Sequence, residues 1–291
     1  MSPPPSEGRS PAAVPPGEDR TLRALGLDGV PREEPLLYPG AWPRESGLLV
    51  GDRLLPLDQP AREEWEEEDG RIPVLAIGSN ASPAQLRHKM AEFGIDSPVP
   101  MVRSRVTGLD IGVSAHVSRM GYVSASPVGA PGVVRELFVL WLDAEQLAVI
   151  DASEGVPMAG GNFDRVRLPA PDVRVEPGDG SVLAGVYAYV NRHGVLHDGT
   201  GAPRRHPGEQ RPLITELLHG SARLRKLFGR TPEEFCARAR ADRRLCDLGT
   251  RLFAEEGRVT ASGLERYAGP GPEEPFAGGR TPSADPTAPM P

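Results

Sequence analysis

Between residues 72 and 192 the chain repeats short apolar, β-branched runs cut by turn formers, and past residue 208 it stops doing so. The runs lie at 74–77, 102–111, 121–126, 133–142, 163–168 and 182–190. The stretches SPVGAPG (126–132) and EPGDGS (176–181) separate some of them, so each run reads as a strand bounded by a turn. Helices are expected after Asn80 and over 144–153. A loop rich in Gly, His and Arg follows at 193–208, and then Leu213, Leu217, Leu224 and Phe228 recur at helical spacing. TPEEF at 231–235 starts a further helix, with Thr231 as cap, Pro232 in the first position and acids in the first turn. Phe235, Ala239, Leu245, Leu248 and Leu252 extend an apolar face. The change of texture confines the fold to a β domain with helical mass packed on it, expected here as two helices.

Composition bounds how much of the chain can fold. The 291 residues include 34 Gly and 33 Pro, and these are densest at the two ends. Residues 1–20 and 269–291 are therefore expected to be disordered, because such segments cannot bury enough surface to offset chain entropy. Residues 21–71 hold small apolar clusters (Leu22, Leu25, Leu27, Leu36, Leu37, Tyr38, Trp42, Leu48, Leu49, Val50) and end in the acidic run REEWEEEDGR, 62–71. That segment can wrap onto a domain but not form one, and the acidic run reads as a solvated linker or short helix. The domain proper is 72–192, and 193–268 is the helical segment packed on it. A formal charge of −7 argues against a nucleic-acid partner. No run approaches the length of a membrane span, and the N-terminus is polar and Pro-rich, not a basic-then-apolar leader. Cys236 and Cys246 lack metal-ligand spacing and suit a reduced, cytoplasmic setting. The histidines show no ligand spacing either; His193 and His197 stand at i, i+4 but in a Gly-rich loop, so no metal is expected.

Two stretches carry chemistry. In AIGSNASPAQLRHKM (76–90) an apolar strand breaks at Gly78-Ser79-Asn80 and restarts as a helix. Ser82 and Gln85 fit a capping box, and Pro83 takes the first helical position. Gly78 is expected to turn the backbone at positive φ and to let a ligand approach. Free amides at a helix start suit a carboxylate or phosphate; a bare strand-to-helix turn is the alternative. In LDAEQLAVIDASEGVP (142–157), Asp143 and Gln146 fit a second capping box, and Gly155 stops the helix. Leu147, Ile150 and Glu154 share one face. Glu154 thus falls at the helix end whose dipole disfavours a carboxylate. That placement suits a group that takes up a proton and returns it; a solvent-exposed Glu is the alternative.

Together with NFDRVRL (162–168) and the strand pair in GYVSASPVGAPGVVRELFVLWLD (121–143), these two stretches resemble the γ-glutamylcyclotransferase-like family over about residues 72–192. The family carries a Tyr-Gly-Ser-Asn loop, an L-D-x-x-E-G segment and an aromatic-plus-basic strand beyond it. The resemblance implies an α+β fold, a small mixed β-barrel flanked by helices, here with a helical C-terminal segment. It implies that Ile77, Gly78, Ser79 and Asn80 form a substrate loop, that Phe163 lines the same cavity, and that Glu154 is the catalytic acid and base. The implied reaction releases 5-oxoproline from a small-molecule γ-glutamyl amine or peptide by intramolecular aminolysis, with no cofactor or metal. Ile77 stands where the family usually has Tyr, and Phe163 where Tyr is common, so two hydroxyls are absent. A non-catalytic binding module of the same fold therefore stands as a rival. So does a biosynthetic enzyme that removes a γ-glutamyl protecting group from an amine. Oligomeric state is left open.

Overall fold

A computed structural model describes residues 19–57, 70–156, 158–268 and, for backbone, 280–282. The expectations for residues 1–18, for most of the acidic run, and for 269–279 and 283–291 lie outside the described residues. Among those described, twelve strands and six α-helices alternate along the chain. The strands are β1 (Gly47–Val50), β2 (Arg53–Pro56), β3 (Ile72–Ala76), β4 (Val99–Val117), β5 (Val123–Leu142), β6 (Phe163–Pro169), β7 (Arg174–Glu176), β8 (Ser181–Leu183), β9 (Gly185–Asn191), β10 (Val195–Leu196), β11 (Val259–Thr260) and β12 (Arg280–Pro282). The helices are α1 (Pro83–Ala91), α2 (Ala144–Glu154), α3 (Gln210–Gly220), α4 (Ala222–Phe228), α5 (Pro232–Ala241) and α6 (Arg243–Glu255).

The fold is α+β, as expected, but the sheet does not close into a barrel. Its order is β11-β10-β4-β5-β3-β9-β6, with β1, β2 and β7 attached beside this path. All pairings are antiparallel except β3 with β9. Closure fails because β4 is shared out along its length: Val99–Met101 faces β1, 105–107 faces β7, and Ser114 faces β10. Its far half thus leads toward the helices, and the outer strands β6 and β11 stay apart.

The largest departure from the sequence reading is β5. SPVGAPG was expected to separate neighbouring strands, yet it runs through one. Asp110 pairs with Val128, Ile111 with Pro127 and Gly112 with Ser126. The turn formers are absorbed as a bulge, because Gly108 pairs with Ala130 while Thr107 pairs with Val134, leaving 131–133 unmatched. Gly108 permits this with φ 101° and with a backbone approach by Asp172 that a Cβ would block. The run at 182–190 divides instead, β8 pairing with β12 and β9 with β3 and β6.

The C-terminal segment holds four short helices instead of two. Its apolar face continues through breaks capped by Ser221, Thr231 and Asp242, whose side chains accept amide hydrogens of the following turn. Thr231 forms the expected start, complete with a capping box to Glu234. Phe228 and Phe235 pack with tilted rings, centroids 4.5 Å apart, and, with Leu213, Leu217 and Phe253, cover Val113, Val117 and Val123. Residues 21–57 lie against the domain: Leu22, Leu49 and Leu54 join the core under α1 and α2. Cys236 and Cys246 are buried free thiols. No helix among the described residues is long and apolar enough to cross a membrane.

Candidate active site

The strand-to-helix break after β3 begins a single turn of 3-10 helix, Ser79–Ala81, before α1. Ala81 and Ser82 amides donate to the Gly78 and Ser79 carbonyls. The first amides of such a turn have no acceptor within it. Gly78 differs from expectation: its φ is −126°, not positive. The reason for a glycine is proximity, since a Cβ there would lie 2.3 Å from Tyr38 Oη. The Ser82–Gln85 capping box does not form either. Pro83 does open α1, but Ser82 makes no cap bond, and among the described residues its buried hydroxyl has no partner. Gln85 is drawn away by tertiary structure, its Oε1 accepting the Arg32 amide at 2.9 Å.

The second stretch folds as its local signals require. Asp143 and Gln146 cap α2 reciprocally, and Gly155 ends it at φ 78°. Glu154, the last helical residue, turns toward the loop. Its Oε1 accepts from Asn80 Nδ2 at 3.1 Å and from Lys89 Nζ at 3.0 Å, while Lys89 Nζ reaches Asn80 Oδ1 at 2.7 Å. One carboxylate oxygen is therefore held from two sides, and no described side chain binds Oε2. Lys89 is buried near the end of α1, and that burial lowers its pKa against the opposing pull of Glu154. The full charge of Lys89 at 3.0 Å, more than the fractional charge of the helix end, sets the field on this carboxylate.

These groups border a cavity of about 90 Å³. Ile77, Gly78, Ser79, Asn80, Phe163 and Glu154 all line it, so the sequence-predicted residues come together. Ile77 and Phe163 are buried apolar walls. Glu154 is the one carboxylate among the described lining residues. Asp151, a turn earlier, has both oxygens engaged, by Tyr189 Oη at 2.8 Å and Arg165 at 2.7 Å.

The sequence reading missed several lining residues: Arg32, Tyr38, Lys89, His116, Tyr122 and Ser124. Tyrosine hydroxyls thus reach the neighbourhood from positions other than 77 and 163. Tyr38 comes from the N-terminal extension, and its Oη accepts the Ala125 amide at 2.8 Å. Its ring stacks on Tyr122 at 4.4 Å. Burial, with the charge of Glu154 nearby, pushes the Tyr122 phenol up to about 12, so it stays a donor at neutral pH. Of these residues only Lys89 left a trace in the sequence, as one of two lysines in an arginine-rich chain.

A second cavity of about 490 Å³ adjoins the first and shares Arg119, Ser153, Glu154 and Asn162 with it. Its other wall is α6, through Arg243, Asp247 and Arg251. Glu154 stands where the two meet. Among the described residues no group of three or more His, Cys, Asp or Glu is placed to hold a metal.

No family model matches the sequence, and no curated protein does. Two solved structures are similar to this one. A protein of Arabidopsis thaliana determined in solution is 16% identical, over 56% of this chain and 92% of that chain, with a TM-score of 0.32. The crystal structure of YkqA from Bacillus subtilis is 13% identical, over 75% of this chain and 72% of that one, with a TM-score of 0.34.

Proposed function

We propose that the chain is a γ-glutamylcyclotransferase-type enzyme that releases 5-oxoproline from a γ-glutamyl amine or peptide. The observation that carries this reading is the state of Glu154: one oxygen fixed by Asn80 and Lys89, the other without a described partner, at the junction of a small cavity and a larger one. The small cavity takes the glutamyl group and the larger one the amine to be released.

In this scheme the substrate's α-carboxylate lies against the Gly78–Asn80 turn, with the Lys89 cation nearby. Its α-ammonium faces Glu154 Oε2 and gives up a proton to it. The freed amine attacks the γ-carbon, forming the ring C–N bond. As the original C–N bond breaks, Glu154 returns the proton to the departing amine. The ring nitrogen then loses its second hydrogen to the same carboxylate, which passes it to the released amine; products are 5-oxoproline and the ammonium form of the amine, so protons and electrons balance without a co-reactant. Holding the glutamyl chain folded in a small cavity supplies proximity, the main source of rate for an intramolecular attack.

The test is Glu154→Gln. It keeps the side-chain volume but cannot carry the proton, so turnover should fall at least about a hundredfold with ligand affinity within a few-fold of wild type. Unchanged turnover contradicts the scheme. A second reading, a binding module without turnover, is favoured by the apolar Ile77 and Phe163 walls. It predicts a γ-glutamyl ligand bound and recovered intact. A third, removal of a γ-glutamyl protecting group from a biosynthetic amine, uses the same chemistry and differs only in the occupant of the larger cavity.

A further inference from the structure

The cavity wall and the layer behind it carry three buried polar side chains that proton transfer by Glu154 leaves unused. Val113 pairs with Ala125 and Val117 with Val123, so residues 114–116 of β4 face Ser124 alone on β5. A bulge of this kind re-aims side chains. Here it brings His116 Nε2 to 3.3 Å from Ser124 Oγ, while His116 Nδ1 lies 2.8 Å from Asn191 Nδ2 on β9. All three side chains are buried, and His116 and Ser124 line the small cavity beside Phe163, whose ring meets the imidazole edge-on.

Asn191 fixes the direction of the chain. Its Oδ1 accepts the His193 amide at 2.9 Å, so its amide nitrogen, which only donates, faces His116. His116 Nδ1 must then accept, and the ring's one hydrogen sits on Nε2. Burial, with His193 beside it, pushes the imidazole down to about 3, so no second hydrogen is present at neutral pH. Nε2–H therefore donates to Ser124 Oγ. In this tautomer His116 cannot accept the serine proton, which excludes a serine nucleophile activated by it. The hydrogen of Ser124 needs another acceptor. Ser114 Oγ gives its own hydrogen to the Ser124 carbonyl at 2.7 Å, and its oxygen lies 3.3 Å from Ser124 Oγ, the same separation as His116 Nε2. Ser124 also lines the cavity, where a ligand oxygen can accept that hydrogen.

We propose that Ser124 donates its hydroxyl hydrogen to the γ-carbonyl oxygen of the ligand, with His116 and Asn191 as positioning residues behind it. Aligned hydrogen bonds polarise one another and strengthen the terminal donor. The identity of that oxygen rests on the cyclotransferase reading: it gains negative charge as the ring closes, where a preorganised donor stabilises most.

The test compares the wild type with Ser124→Ala, Ser124→Cys, His116→Leu and His116→Gln. Calorimetric titration uses 5-oxoproline, which keeps the carbonyl, and proline, which lacks it. Ser124→Ala should remove the preference for 5-oxoproline over proline and lower kcat at least about tenfold on a γ-glutamyl amide, with KM within about threefold. Ser124→Cys covers the case in which the alanine variant fails to fold, and it should show the same losses to a smaller degree. His116→Leu should mimic Ser124→Ala, and His116→Gln, which offers an N–H to Ser124, should restore much of the loss. Wild-type preference and kcat in Ser124→Ala overturn the inference while leaving the cyclotransferase reading intact. A covalent acyl adduct on Ser124 in intact-mass spectra also overturns it, since the residue would then be a nucleophile. Failure of the wild type to bind 5-oxoproline removes both.

Discussion

Replacing Gly78 by alanine perturbs the site at its tightest point. The added Cβ would lie 2.3 Å from Tyr38 Oη, 3.3 Å from its Cζ and 3.5 Å from Ala125 Cβ. Ordinary carbon contacts begin near about 3.5 Å, so the hydroxyl must retreat by about 1 Å. It has little room, because the ring stacks on Tyr122 and Oη accepts the Ala125 amide at 2.8 Å. Losing that acceptor strands a buried N–H, a penalty of about 1–3 kcal/mol. Overpacking adds a similar about 1–3 kcal/mol. Gly78→Ala should therefore destabilise by about 2–6 kcal/mol in urea unfolding at neutral pH. Tyr38→Phe removes the clashing atom, so in the Gly78→Ala background it should cost less than in wild type, a coupling of about 1–2 kcal/mol. A Gly78→Ala protein within about 0.5 kcal/mol of wild type, or strict additivity with Tyr38→Phe, would refute the reasoning.

Lys89→Met should leave Glu154 as a half-buried carboxylate without its cation and destabilise by about 2 kcal/mol or more in the same assay, with Glu154→Gln added to it recovering some of the loss. The pH dependence of stability should carry the signature of His116, whose folded value of about 3 lies below its unfolded 6.5. Below 6.5 the unfolded chain takes up a proton that the folded one refuses, so this contribution is fully present above 6.5 and is lost at up to roughly 1.4 kcal/mol per unit as pH falls toward 3. Unfolding curves of wild type and His116→Gln should converge or cross between pH 7 and pH 4.5; parallel curves would contradict the buried, neutral imidazole.

What the sequence made legible was what local chemistry decides. The α2 cap at Asp143 and Gln146, the left-handed Gly155 and the helical position of Glu154 all follow from residues a few places apart. Strand and helix texture likewise separated the sheet from the C-terminal helices. The misreadings arise where a distant partner competes for a group. Gln85 looked like a cap partner of Ser82 but serves the Arg32 amide instead. SPVGAPG looked like a turn because Pro and Gly usually end strands, yet β4 supplies a partner and a bulge takes up the surplus residues. Gly78 was assigned a positive φ when its constraint is Tyr38, which lies in a segment with no sequence relation to the loop. Lys89, His116 and Ser124 were missed because no residue spacing marks their contacts, although Asn80 lies nine residues from Lys89 and Ser124 eight from His116.

The central claim is that the substrate's own α-amine, deprotonated by Glu154, is the nucleophile. Incubating the protein with a γ-glutamyl amide and with its N-acetylated counterpart, and identifying products by mass spectrometry, tests it directly. Both compounds keep the α-carboxylate, but the acetylated nitrogen cannot attack. The account predicts 5-oxoproline and free amine from the first and no product from the second. Glutamate from the first compound or N-acetylglutamate from the second would mean that water attacks, and intact recovery of both would mean that the site binds without turnover; either result contradicts the account.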